Sequence, residues 1–211
     1  MESIWMKTYD KKKNPALDGD VDTEAAVIGG GMAGILTAWR LQKAGIRAVV
    51  LEADQIGGGQ TKNTTAKITS QHGLFCHEFI EKKGVETAEK YLQANQHAVE
   101  EYKRIIREED IDCNLTECDS YVYSSDRDKL KVEMEAARRL GIDAFLKEKM
   151  EIPVSCAGAV GFPGQAAFHP LKFLKALAEE LTVYEDTPVT EVGENQVKTP
   201  RGNVRVDGMK S

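Results

Sequence analysis

The 211-residue sequence is 41% hydrophobic, enough for one large or two small packed domains, and its net charge of −6 with scattered Lys and Arg argues against a nucleic-acid partner. The one basic run, Lys11-Lys12-Lys13, is too short to make a phosphate-binding face. No apolar stretch approaches the ~20 residues that span a bilayer, and the opening MESIWMKTYDKKK lacks the apolar core of a secretory signal, so a cytoplasmic protein without a membrane span is expected.

In chain order, residues 1–20 are polar and irregular around Trp5 and Tyr9 and read as a surface arm. The run Ala25-Ala26-Val27-Ile28 is followed by glycines and then by apolar residues at helical spacing (Ile35, Leu36, Ala38, Trp39, Leu41) that stop at Gly45. A second run, Ala48-Val49-Val50-Leu51, ends in Glu52. Strand, helix and strand in that order predict a βαβ unit with a parallel pair and a right-handed crossover.

Residues 54–73, rich in Gly, Thr, Asn and Gln, read as an ordered loop. From Val85 to Glu109 apolar residues recur at three and four positions and predict a long amphipathic helix. Tyr121-Val122-Tyr123 reads as a strand, Asp126 to Leu140 as a helix closed by Gly141, and Ala157 to Phe168 as an extended segment. Pro170 opens a helix through Leu181, at a position where a missing N–H costs nothing. The tail, with strands at 182–184, 189–192, 196–199 and 204–206, predicts a β-meander.

The chemistry is carried by Gly29-Gly30-Gly31-Met32-Ala33-Gly34, a GxGxxG between a strand and a helix, with the acidic Glu52 closing the next strand. Gly29 permits the tight turn, Gly31 lets backbone approach a pyrophosphate, and Gly34 lets helix and strand pack closely. The pyrophosphate then meets free N–H groups and the positive end of the helix dipole. Glu52 accepts from ribose hydroxyls and disfavours a 2′-phosphate, which argues against NADP.

The string GGGMAGILTAWRLQKAGIRAVVLE is similar to the longer fingerprint of two-dinucleotide-binding-domain flavoproteins, with Ala38, Leu41 and Gly45 in register and Ala48 where that group commonly has Val. Ile56 to Ala66 resembles the second phosphate and flavin loop of the D-amino-acid oxidase or glycine oxidase (DAO) family. Thr64 to His72 looks closer still to a bacterial branch carrying a C-terminal Rieske domain. His169-Pro170 with its helix resembles the return into the FAD domain. Glu185-Asp186-Thr187-Pro188-Val189 resembles the strand whose central Val meets adenine through its backbone.

The resemblance implies an α/β fold: a Rossmann-like FAD-binding βαβ domain with a β-meander and a helix-rich inserted cap, incomplete at the C-terminus. The expected segments are an arm (1–20), a first FAD segment (21–75), a cap (76–165) and a second FAD segment (166–211). The residues assigned to FAD are Gly29, Gly31, Met32, Ala33, Gly34, Glu52, Ala53, Gln60, Thr61, Thr65, Ala66 and Val189.

The implied activity is oxidation of a small-molecule amine or amino acid by hydride transfer to flavin, with a further electron acceptor or Rieske module in full-length relatives. A truncated chain, inactive by itself, is expected, because neither a second half nor a Rieske Cys-x-His signature follows the meander. No catalytic side chain need exist, since the cofactor does the chemistry. His72 reads as a buried hydrogen-bonded residue ahead of a flavin neighbour, His77 and His97 as solvated residues in helical context, and His169 as shaping the turn into its helix. Lys67 reads as exposed ahead of a role neutralising phosphate or flavin charge. Cys76, Cys113, Cys118 and Cys156 have neither CxxC spacing nor paired histidines and read as reduced thiols, with no metal site. The rival readings are a non-catalytic nucleotide-binding remnant and an NAD-dependent dehydrogenase; the latter leaves the loop from Thr61 to Gln71 unexplained.

Overall fold

A computed structural model describes residues 3–9 and 13–206, so Lys11, Lys12 and the last residues of the 166–211 segment lie outside it. The chain runs α1 (Ile4–Lys7), β1 (Val21–Thr23), β2 (Ala25–Ile28), α2 (Met32–Lys43), β3 (Ala48–Leu51), a 3-10 turn (Thr61–Asn63) and β4 (Lys67–Ile68). Then come α3 (Cys76–Lys83), α4 (Val85–Glu108), β5 (Thr116–Ser124), α5 (Arg127–Arg139), β6 (Phe145–Lys147) and β7 (Gly158–Ala167). The last elements are α6 (Pro170–Ala178), β8 (Thr182–Tyr184), β9 (Glu191–Val192), β10 (Gln196–Thr199) and β11 (Gly202–Val206).

Two compact units emerge, residues 1–65 with 169–211, and residues 66–168. These boundaries differ from 75/76 and 165/166 because β4 pairs antiparallel with Ala166 and Ala167 of β7, which binds both strands into one sheet. In the first unit β2 and β8 flank β3, all parallel, with Ala25 opposite Ala48 and Val49 opposite Thr182. A second sheet runs β1-β11-β10-β9. Thr182–Tyr184 therefore belongs to the parallel sheet and not to the meander. Sequence spacing shows that a strand exists but not which neighbour accepts it. Leu17, Val49, Leu51, Val197 and Val204 form the shared core of these sheets, with Val189 packed against it.

Local chemistry sets the helix ends. Helix α2 closes with the Gly45 N–H donating to Gln42 O at 2.9 Å and the Ile46 N–H to Leu41 O at 3.0 Å. Gly45 takes φ +80°, which a residue without Cβ adopts at no steric cost. Helix α6 begins at Pro170, and His169 Nδ1 accepts from the Lys172 N–H at 3.3 Å. As the sequence implies, His169 shapes the turn.

In the second unit β7 pairs with β4, β5 and β6, and α3, α4 and α5 pack through Cys76, Ala88, Leu92, Leu130, Ala137 and Phe162. The sequence places His77 in helical context but gives no bounds for helix α3, Cys76–Lys83. Its N-cap residue, Phe75, offers no side-chain acceptor. Instead the buried Glu133 of α5 takes the Cys76 N–H at 2.7 Å and the His77 N–H at 3.1 Å. Burial and the adjacent Glu133 carboxylate push the Cys76 thiol far up.

His72 is exposed rather than buried: its Nδ1 lies 3.1 Å from Tyr91 Oη on a partly solvated aromatic cluster with Phe75 and Phe79. His77, His97 and Lys67 are exposed. All four cysteines are free. No helix among the described residues is long and apolar enough to cross a membrane.

Candidate functional site

In the first unit the glycine turn joins β2 to α2, and each glycine meets a different constraint. Gly29 has φ +104° with open space around its Cβ direction, so backbone conformation alone demands glycine there. A Cβ on Gly34 would fall 1.9 Å from Gly29 O, so close packing demands glycine. A Cβ on Gly31 would meet only Thr61 Oγ1, at an ordinary 3.7 Å. The chain itself therefore leaves room at Gly31 that a side chain would fill. Gly31 caps α2 without a side-chain acceptor. The first-turn N–H groups of Met32, Ala33 and Gly34 have no partners within the helix. Of these, Met32 N–H donates to Thr61 Oγ1 at 3.3 Å.

Glu52 stands beside this turn at the end of β3. Its Oε2 accepts the Gly30 N–H at 2.6 Å and its Oε1 the Asp54 N–H at 2.9 Å. A carboxylate has about four acceptor positions, so capacity remains for ribose hydroxyls. The loop after β3 is tied to the glycine turn directly, by the Gly57 N–H to Gly30 O at 3.0 Å. Gly57 has φ +67°, and a Cβ there would fall 2.5 Å from Leu171 Cδ2.

Glu185 and Thr187 are buried residues that the sequence reading passed over in favour of Val189. Glu185 accepts the Asn14 N–H and the Ile56 N–H, each at 2.6 Å. Thr187 Oγ1 accepts the Leu17 N–H at 3.0 Å, and the Thr187 N–H donates to Glu52 O at 2.9 Å. The segment leading to Val189 is thus sewn to the end of β3. The only sequence signal for these roles is an acidic residue and a Thr immediately after an apolar strand.

The structure gathers Gly29, Gly31, Met32, Ala33, Gly34, Glu52 and Thr61 around one turn, with Ala53 and Gln60 exposed on the following loop. Thr65 is exposed at the end of that loop's unit. Ala66, at φ +58°, is the first residue of the second unit.

Residues 24–208 match the family described as FAD dependent oxidoreductase, DAO. The chain belongs to the DAO family of FAD-dependent oxidoreductases. FAD is accordingly the cofactor of this flavoprotein fold. Among curated proteins this DAO chain is 39% identical over 199 residues to the Rieske 2Fe-2S iron-sulfur protein YhfW of Bacillus subtilis (strain 168), covering 90% of the chain and 39% of the relative. It is 24% identical over 204 residues to gamma-glutamylputrescine oxidoreductase of Escherichia coli (strain K12), covering 89% of the chain and 48% of the relative.

Among solved structures, L-proline dehydrogenase from P. horikoshii matches with TM-score 0.71 and 21% identity over 90% of the chain and 52% of its own. Glycine oxidase from Geobacillus kaustophilus matches with TM-score 0.66 and 18% identity over 88% of the chain and 54% of its own. The DAO chain thus spans about half the length of the proteins it matches, or less.

Proposed function

We propose that this DAO chain supplies the dinucleotide-holding part of an FAD-dependent oxidoreductase that oxidises an amine or amino acid. The observation that carries the reading is the open space at Gly31, next to the first-turn N–H groups of α2 and the Thr61 hydroxyl, with Glu52 alongside. Room that protein packing does not fill, lined by hydrogen-bond donors, fits a pyrophosphate.

In this reading Gly29, Gly31, Met32, Ala33 and Gly34 hold the pyrophosphate through backbone N–H groups and the helix dipole. Glu52, with Ala53 beside it, holds the adenosine ribose, and Val189 meets adenine through its backbone. Gln60 and Thr61 serve the second phosphate, while Thr65 and Ala66 serve the flavin side. FAD, when bound, supplies the hydride-accepting centre. The protein's part is to bind and orient it, and no side chain is assigned as acid or base.

The substrate class rests on the names of the relatives, which include L-proline dehydrogenase, glycine oxidase and gamma-glutamylputrescine oxidoreductase. Similarity to YhfW, named as a Rieske protein, supports a Rieske module or another electron acceptor as partner. The test is titration of the purified chain with FAD, followed by anaerobic bleaching with glycine, sarcosine, proline and D-amino acids. Saturable FAD binding that Gly31→Val abolishes supports the site assignment; equal binding by both proteins overturns it. Residues 1–211 expressed alone are expected to bind FAD without bleaching, because relatives deploy about twice this length. Bleaching at the rate of a full-length relative would overturn that expectation.

A further inference from the structure

The arm before β1 makes contacts that the FAD reading does not use. Ser3 Oγ donates to Lys62 O, and Trp5 Nε1 donates to Thr64 O at 3.0 Å. The Trp5 ring stands edge-on to His169 with centroids 5.1 Å apart. Farther along, Asn14 shares Glu185 with Ile56, and Leu17 is fully buried in the core. The arm therefore grips the loop at both ends: at Ile56 through the shared carboxylate, and at Lys62 and Thr64 directly.

The gripped segment contains Gly57, Gly58 and Gly59 in succession, the residue type with the largest backbone entropy to lose on ordering. Left to itself such a loop samples many conformations. The one adopted here places Thr61 Oγ1 on the Met32 N–H and Gly57 N–H on Gly30 O. The two carbonyls that the arm holds belong to the residue after Thr61 and to the residue that ends its turn.

We propose that Ser3 and Trp5 are positioning residues: the N-terminal arm is a strap that holds the Gly57–Thr64 loop so that the Thr61 hydroxyl is presented to the dinucleotide beside the Met32 N–H. This rests on the FAD reading above for its ligand, but not for the strap itself. A loop ordered before binding no longer loses its entropy on binding, so affinity rises without any new contact to the cofactor.

The experiment compares the wild-type chain with the double variant Ser3→Ala/Trp5→Phe, which removes both donors but keeps an aromatic ring against His169, and with Ser3→Thr, which keeps the hydroxyl. Hydrogen exchange without FAD is expected to speed up about tenfold or more at residues 61–64 in the double variant and to stay unchanged in α4. FAD affinity is expected to fall about tenfold, with an altered visible circular dichroism of the bound FAD, while Ser3→Thr stays within about twofold of wild type. Exchange at 61–64 within about twofold of wild type would overturn the strap. A freed loop with unchanged FAD affinity would overturn its positioning role. Exchange that rises equally in α4 would mark general destabilisation and overturn the proposal as well. If the wild-type chain takes up no FAD, the FAD reading fails; the exchange result then still decides separately whether the arm orders the loop.

Discussion

A Cβ added to Gly34 would lie 1.9 Å from the carbonyl oxygen of Gly29 and 3.0 Å from its carbon, so α2 and the turn before it touch through backbone alone. Backbone cannot swing aside as a side-chain tip can. Gly34→Ala is therefore expected to destabilise the chain by about 3 kcal/mol, the upper end for overpacking, and to lower Tm by roughly 6–12 °C. Gly31→Ala, at φ −81° with only Thr61 Oγ1 nearby, is expected to leave Tm nearly unchanged while weakening FAD binding. Thermal melts and FAD titrations of the two variants would separate a packing glycine from a ligand-facing one. Equal Tm losses would sink the distinction.

Glu52 tests the same site from the other side. Glu52→Gln keeps the shape but loses the charge and one acceptor, weakening the bonds from Gly30 N–H and Asp54 N–H as well as those proposed to the ribose. Bonds to charged groups contribute roughly 1.5–3 kcal/mol, so FAD affinity is expected to fall about tenfold or more. Fluorescence titration reads this directly, and unchanged affinity would remove Glu52 from the site.

What the sequence made legible follows from how local each cause is. The βαβ unit, the long helix α4 and the His169-Pro170 start of α6 are each specified by residues within a few positions of one another. The start of helix α3 stayed hidden, although His77 reads as helical, because its N-terminal acceptor, Glu133, stands 57 residues away on α5. The arm read as irregular because its anchors are Lys62, Thr64, Glu185 and Thr187, none near it in sequence. The pairing of Thr182–Tyr184 with β3 was equally a long-range choice. Within the site, the glycine turn was readable because its chemistry sits in six consecutive residues. The link from Gly57 to Gly30 was not, since nothing local marks which carbonyl a loop glycine will meet.

The long-range cap gives a prediction in the second unit. Glu133→Ala leaves the Cys76 and His77 N–H groups without their acceptor in a buried setting, and a cost of about 2–4 kcal/mol is expected. The same change should raise the reactivity of Cys76, whose thiol is buried and held up in pKa partly by that carboxylate. In the wild-type chain, alkylation followed by mass spectrometry should find the exposed Cys118 and half-buried Cys156 modified well before the buried Cys76 and Cys113. Early modification of wild-type Cys76 would contradict the packing around α3.

His169 makes acid stability a readout of the arm. Its Nδ1 accepts from the Lys172 N–H, which requires a neutral ring, and its Nε2 lies 2.9 Å from Thr8 Oγ1. The neutral tautomer with a proton on Nε2 satisfies both, because the Thr8 hydroxyl proton goes on to Ile4 O at 2.9 Å. Burial, and then the Lys172 charge, lower the pKa of His169 from its ordinary 6.5, against a smaller opposing effect of a backbone hydrogen bond. With the folded pKa below the unfolded one, the unfolded chain takes up the proton first as pH falls. The stabilisation is complete above about pH 6.5 and is lost as pH drops through the folded pKa. Protonation removes the Nδ1 acceptor, and with it an N-cap worth about 1 kcal/mol. His169→Asn keeps a capping acceptor that does not titrate. Between about pH 7.5 and 5, wild-type Tm is expected to fall more steeply than that of His169→Asn, since other titrating groups are common to both chains. The steeper fall should be accompanied by faster exchange at Lys62 and Thr64, because Trp5 rests against the same ring. Parallel Tm profiles for the two chains would show that His169 carries no pH-dependent stability and that arm and helix are joined by something other than this imidazole.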